Sequence, residues 1–402
     1  MIDETHDPAL RSWVPSANHP TSDFPIQNLP LGVFKHPSHP SARLGVAIGD
    51  QIFEIGSWLS GDSLSNYFSL SSIDRRELRE ALSTALCEGS PRVELFAQSE
   101  CRMQLPGAIG DYTDFYASID HAANVGSMFR PDHPLLPNYK HLPIAYHGRS
   151  SSIAVHGAPV RRPWGQLGEG IFAPTRELDY EVEVGAFIAR GNRPGDCIPI
   201  DQANDHIAAL CLLNDWSARD IQRWEYQPLG PFLGKNFATT ISPWVVTAEA
   251  LAPFRVVPAS HETPVLPYLQ STGADAFDIR LEAWLRTPAM NRAERISRAS
   301  FRDMYWTFPQ MIAHHTSNGC PLRPGDLLGS GTVSGPAREN RGCMLELTWR
   351  GKDPLILSSG ESRIFLQDGD EVTLRGYCER PGFRRIGFGA CCGRIDCAKT
   401  VS

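Results

Sequence analysis

The 402-residue sequence reads as a mainly β protein of mixed α+β type, with a small N-terminal β module at residues 1–107 and a large β-rich domain at 108–402. Three features carry this reading. Residues 44–55 hold two apolar runs about a Gly49-Asp50 turn, the pattern of a β-hairpin. Residues 326–334, 343–349 and 370–377 are short strand-like segments separated by turn residues. Between these ends, Pro143, Gly148, Gly157, Pro159, Pro163 and Gly165 punctuate the chain without a regular strand-helix rhythm, so an antiparallel or mixed sheet is expected.

Taken in order, residues 36–41 are rich in Pro and Ser and read as a surface loop. Residues 73–98 carry Leu78, Leu82, Leu86 and Val93 among charged positions, which predicts a helix ending near Pro106-Gly107, where we place the module boundary. In residues 111–121, Thr113 or Asp114 can open a helix that puts Asp114 and His121 on one side, two turns apart. A carboxylate and an imidazole would then share a pocket, although an isolated histidine is more often a surface or satisfied core group.

Residues 178–188 alternate as one strand, with Asp179, Glu181 and Glu183 on one face and Leu178, Tyr180, Val182 and Val184 on the other. Carboxylates on alternate residues repel each other, and burial would raise their pKa values unless a positive charge compensates. Two readings fit: a site for a hard cation such as Ca²⁺ or Mg²⁺, or a half-exposed strand with solvated glutamates. The apolar run 207–213 delivers Asp215 to the end of a buried element, which is costly without a partner. A helix then follows with Ser217 able to cap it, aligning Arg219, Gln222 and Tyr226 on one face. The structural alternative pairs Arg219 with Asp215 or Asp220 and packs Tyr226 in the core.

Residues 230–236 superficially resemble a phosphate loop, but the glycines are too close together and Asn236 stands where Ser or Thr is required, leaving Lys235 as a fixed cation in a pocket. Glu346 falls within the apolar segment 343–349, where strand alternation sets it opposite Leu345 and Leu347, and a histidine would be a fitting partner. Residues 368–371 read as a turn between strands. His314, His315 and Cys320 match no recognised zinc spacing.

Composition narrows the class. With 42% hydrophobic and 21% charged residues the chain is neither disordered nor built for a bilayer, its longest apolar run being far too short to span one. A net charge of −7 and a pI near 6.0 argue against a general nucleic-acid surface. The acidic, polar residues 1–7 lack the features of a secretory signal, and the ten cysteines include no Cys-x-x-Cys pair, so a reducing, cytoplasmic location is expected.

Several motifs together resemble the fumarylacetoacetase family: Asp-Tyr-Thr-Asp-Phe-Tyr (111–116), Tyr-His-Gly-Arg (146–149), Asn-Asp-Trp-Ser-Ala-Arg-Asp (214–220), Gly-Pro-Phe-Leu-Gly-Lys (230–235) and Gly-Ser-Gly-Thr-Val-Ser-Gly-Pro (329–336). The similarity runs from Ser12-Trp-Val-Pro to Arg385-Ile-Gly-Phe-Gly. It implies an SH3-like N-terminal barrel, a β-rich catalytic domain, a homodimer, and hydrolysis of 4-fumarylacetoacetate to fumarate and acetoacetate, the last step of tyrosine and phenylalanine breakdown. By motif, Ca²⁺ would be held by Asp114, Glu181, Glu183 and Asp215, with Mg²⁺ associated with Asp215, Lys235 and Thr239. His121 would be the general base oriented by Glu346, with Arg219, Gln222 and Lys235 stabilising the oxyanion. Tyr116, Arg130, Tyr146, Gln222, Tyr226 and Thr332 would hold the substrate. The competing expectations are a related acylpyruvate hydrolase or oxaloacetate decarboxylase, and a non-catalytic metal-dependent binding protein.

Overall fold

The computed structural model describes residues 2–271 and 273–400. Its N-terminal part is a curled five-stranded sheet built from Leu31–His36, His39–Ile48, Gln51–Glu54, Phe96–Ala97 and Arg102–Gln104. The 44–55 hairpin forms as expected, with Gly49 in the left-handed conformation (φ +58°) that its turn requires. Residues 36–41 are not a free loop, because His36 pairs with His39 at the tip of a longer hairpin. The predicted 73–98 helix is shorter, spanning Ser72–Leu86 behind a Ser71/Asp74 capping box. Gly89 (φ +94°) and Pro91 end its course, leaving Val93 exposed.

The centre of the molecule is an eight-stranded mixed sheet. Its main path runs, in spatial order, through strands beginning at Ala145, Tyr112, Leu327, Val182, Ile207, Thr239 and Ile153, with Val246–Thr247 also paired to Ile207–Asp215. Both faces of this sheet are covered, which explains the unbroken apolar run in 207–213. Leu210 and Leu212 point into a core shared with Leu281, Ala283, Leu374 and Phe388 of a second, five-stranded sheet. Ala209, Cys211 and Leu213 point the other way, into a core shared with Val33, Val46, Ile48 and Leu82 of the N-terminal part. The N-terminal sheet thus serves as the cover for one side of the central sheet.

Three expected elements differ, each for a local reason. The 326–334 strand stops at Gly329, because Gly331 takes a left-handed turn (φ +74°) against the Phe115 carbonyl, where a Cβ would lie 2.1 Å from that oxygen. The 343–349 segment forms a helical turn, Met344–Leu347, because the carboxylate of Asp179 accepts the amides of Met344 and Leu345. Residues 113–115 lie in the Tyr112–Phe115 strand, and the helix begins later, at Ile119, behind the Ser118 cap.

The two large sheets meet closely at Gly376, where an added Cβ would lie 2.7 Å from Leu212 Cδ2. Gly376→Ala should therefore wedge the sheets and cost about 1–3 kcal/mol in urea unfolding. A variant as stable as the parent would mean that the sheets do not touch there.

Candidate metal and active site

Strand register brings the acidic residues together. Asp114 lies beside Gly329 in the parallel Tyr112–Phe115/Leu327–Gly329 pair, and Gly329 in turn lies beside Gly185, two residues from Glu183. On the other side Glu183 faces Leu213, which carries the chain to Asp215 at the end of the next strand. Ligand oxygens of Asp114, Glu181, Glu183 and Asp215 all fall within 4.8 Å of one another, and all four residues are buried.

The expected 178–188 strand is interrupted. It forms Leu178–Asp179 and then Val182–Ile188, so Asp179 leaves the acidic face that Glu181 and Glu183 share. Asp179 pairs instead with Arg219 Nε at 2.9 Å, and Arg219 Nη1 reaches Glu181 Oε1 at 2.8 Å. Arg219 pairs with neither Asp215 nor Asp220, whose carboxylate accepts from the Thr175 hydroxyl and the Arg176 amide. The Arg219–Glu225 helix starts without a side-chain cap, and Ser217 lies in a short strand before it. Tyr226, at the end of this helix, is 40% exposed and does not pack in the core.

Lys235 bridges Glu181 (2.6 Å) and Asp215 (2.7 Å). Burial opposes its charge, but these two carboxylates raise its pKa, so the amine stays protonated. A protonated amine has no lone pair, and Lys235 serves the cluster as a counter-charge. Asp215 also accepts from Thr239 (3.2 Å) and from the Tyr146 hydroxyl (2.7 Å), which places Tyr146 as an orienter of that carboxylate. Glu181 is likewise compensated: despite burial, Lys235 and Arg219 hold its carboxyl far below the usual range.

The other half of the cluster is less well compensated: Lys235 only partly offsets its charge, and the Gly331 amide donates to Glu183 Oε2 (3.1 Å). Burial, and then the charge of Asp215, pushes the Asp114 carboxyl well above the usual range; burial and Asp114 do the same to Glu183. Asp114 Oδ1 and Glu183 Oε1 are buried with no hydrogen-bond partner. Between them the backbone keeps a space: a Cβ at Gly329 would lie 2.5 Å from Asp114 Oδ1 and 3.1 Å from Glu183 Oε2. An all-oxygen donor set with excess negative charge, orphaned acceptors and a cradle that only glycine leaves open fits a hard divalent cation. Ca²⁺ and Mg²⁺ both suit such ligands.

Next to the carboxylates stands a histidine-carboxylate pair. His121 occupies the first turn of the Ile119–Phe129 helix, and its Nδ1 lies 2.6 Å from Glu346 Oε2. Glu346 also accepts from Asn124 (2.8 Å), Ser334 (2.8 Å) and the Cys343 thiol (3.2 Å). Burial would raise its pKa, but His121 and these donors bring it down to about 2, so it stays ionised. Tyr116 packs its ring edge-on against His121, with centroids 5.2 Å apart. Gln222 accepts from Arg219 Nη1 (3.3 Å), which turns its amide nitrogen away from that contact. Two polar atoms of the expected substrate set, Arg130 Nε and Thr332 Oγ1, are buried and unpaired, as is Nη2 of Arg219 from the expected oxyanion set.

Sequence reasoning missed Gly329, Ser334 and Asn124. The first two lie inside the Gly-Ser-Gly-Thr-Val-Ser motif, where small residues were visible but their purpose was not. Asn124 sits three residues after His121 on the same helix, an i,i+3 spacing that could have flagged a shared partner.

Residues 27–106 match the family model described as Fumarylacetoacetase N-terminal, and residues 111–396 match Fumarylacetoacetate (FAA) hydrolase C-terminal. The fumarylacetoacetases of Mus musculus and Homo sapiens are 47% and 46% identical, each alignment covering 96% of this chain and 98% of the relative. That of Arabidopsis thaliana is 44% identical, over 93% of this chain and 96% of its own. The solved fumarylacetoacetate hydrolase of Exiguobacterium antarcticum shares the fold, with a TM-score of 0.53 at 17% identity, covering 92% of this chain and all of that one. Matched in chain order by both models, and along nearly its whole length by these relatives, the chain belongs to the fumarylacetoacetase family.

Proposed function

We propose that this protein hydrolyses the carbon-carbon bond of 4-fumarylacetoacetate, giving fumarate and acetoacetate, as the last step of tyrosine and phenylalanine breakdown. The observation that carries the reading is the His121–Glu346 pair set beside the four-carboxylate cluster, in a chain whose near-full-length relatives bear the name fumarylacetoacetase. Asp114, Glu181, Glu183 and Asp215 would hold Ca²⁺, while Asp215 and Thr239, with Lys235 as counter-charge, suit an associated Mg²⁺. A divalent ion there supplies a Lewis acid for the oxygens of a 1,3-dicarbonyl and for the enolate that leaves when the bond breaks.

The chain's own residues do the rest. With Nδ1 held by Glu346, His121 offers Nε2 as the base that takes a proton from water as the water oxygen bonds to the carbonyl carbon. Glu346 fixes the ring and stabilises the imidazolium. Arg219 Nη2, the Gln222 amide and the remaining proton of Lys235 are donors for the oxyanion. When the carbon-carbon bond breaks, its electron pair stays with the acetoacetate carbon, and the imidazolium returns the proton there. Arg130 suits the substrate carboxylate, and Tyr116, Tyr226 and Thr332 line the substrate's place.

An exposed apolar group supports the homodimer. Phe172 and Trp224 are about half exposed and Leu229 and Phe232 more so; the hairpin that carries Phe172 packs beside the Arg219–Glu225 helix. Among the described residues no helix is long and apolar enough to cross a membrane. The ten cysteines are free thiols, which supports a reducing, cytoplasmic setting.

Purified protein, stripped with chelator, should lose its hydrolysis of fumarylacetoacetate, followed by substrate absorbance, and recover it on addition of Ca²⁺ or Mg²⁺. Failure with every ion, or preference for an acylpyruvate, would overturn the substrate assignment. His121→Ala should lower kcat by about 10²–10⁴-fold while binding divalent ion as the parent does in calorimetry. Simultaneous loss of ion binding would contradict its role as base.

A further inference from the structure

Asp179 is fully buried, ionisable, and outside both the ion cluster and the reacting groups. Its two oxygens are saturated by four donors. Oδ2 accepts from Arg219 Nε (2.9 Å) and the Leu345 amide (3.0 Å); Oδ1 accepts from the Met344 amide (2.7 Å) and the Tyr180 amide (2.8 Å). Three of these donors belong to two different parts of the site, the fourth being the adjacent Tyr180 amide. Arg219 carries an oxyanion donor, and the Met344–Leu347 turn carries Glu346, the carboxylate that holds His121.

We infer that Asp179 is a positioning residue that locks the oxyanion arginine and the Glu346-bearing turn into one fixed relation. The inference rests on the hydrolytic reading above. Arg219 is held from one side by Asp179 at Nε and from another by Glu181 at Nη1, which leaves Nη2 as its unpaired donor. Without Asp179 the guanidinium can swing about Glu181, and the turn loses the acceptor of its first two amides. Backbone topology prepares the same arrangement: Leu178–Asp179 pairs with Ser217–Ala218, and the Arg219 amide donates to the Glu177 carbonyl. A buried carboxylate costs stability unless its acceptors are used, and here three of the four donors that use them come from the oxyanion arginine and the Glu346-bearing turn. The interruption of the 178–188 strand has the same origin, since Asp179 must turn away from Glu181 to reach both partners.

Asp179→Asn keeps the shape but replaces one acceptor oxygen with an amide nitrogen, so one donor pair must lose its partner. In the ion-loaded enzyme, kcat should fall about 10–100-fold with KM and divalent-ion affinity little changed. A second Asp179→Asn change made on Arg219→Gln, or on Glu346→Gln, should cost much less than it does alone, because the residues act as a unit. A parental kcat in Asp179→Asn, or full additivity with both partners, would overturn the inference. A parent enzyme inactive with every ion would instead sink the hydrolytic reading. The contact itself has a readout independent of turnover and of the variant's folding. In ¹⁵N-arginine-labelled parent protein, the Arg219 Nε proton, assigned by its loss in Arg219→Gln, should resonate downfield and exchange slowly. A rapidly exchanging Nε proton would overturn the inference whatever the activity.

Discussion

Four carboxylates confined to one dry pocket set the terms for the rest of this structure. Two unit charges about 5 Å apart repel by roughly 3 kcal/mol at an effective dielectric near 20. Asp114, Glu181, Glu183 and Asp215 make several such pairs. Lys235 and Arg219 neutralise the side of the cluster formed by Glu181 and Asp215. Among the described residues no cation pairs directly with Asp114 or Glu183, and burial together with the neighbouring carboxylates pushes both carboxyls well above their usual range. A divalent ion would resolve this imbalance, and the open space at Gly329 would give it room.

The architecture exists to hold that imbalance in place. A sheet with both faces covered keeps water from relaxing the carboxylates, and strand pairing fixes where each one stands. The N-terminal sheet contributes no residue to the site, yet it seals one face of the strands that carry Glu183 and Asp215. The second sheet seals the other. Beside the cluster, Glu346 binds His121 through a network closed by Asn124, Ser334 and Cys343, so the imidazole is oriented by groups that are themselves engaged.

Much of this was legible in the chain. The alternation of Glu181 and Glu183, the apolar run ending in Asp215, the Gly49 hairpin and the Arg219–Gln222 helical spacing all follow from local periodicity. The family motifs supplied the pairing of His121 with Glu346. What local pattern could not supply was long-range competition. Asp114 looked like a helix start because Asp and Thr favour caps, but a parallel neighbour at Gly329 holds it in a strand. Glu346 looked like a strand residue because Leu345 and Leu347 flank it, but Asp179, more than 160 positions earlier, captures two amides and winds the segment into a turn. Alternation alone sets Asp179 on the acidic face, but Arg219 and those amides claim its carboxylate. Each miss is a case of tertiary hydrogen bonding overriding a locally sound preference.

A bound cation would complete the charge balance of the acidic cluster. That completion is tested most directly by thermal unfolding of chelated protein with and without Ca²⁺, on the parent and on Gly329→Ala. Ligand at about 100 times its dissociation constant stabilises the folded state by roughly 2.7 kcal/mol. The parent should therefore melt at a clearly higher temperature when Ca²⁺ is present, and Gly329→Ala should gain little, because its methyl group fills the space beside Asp114. A parent protein whose melting temperature ignores divalent ions, or a variant that gains as much as the parent, would contradict the account.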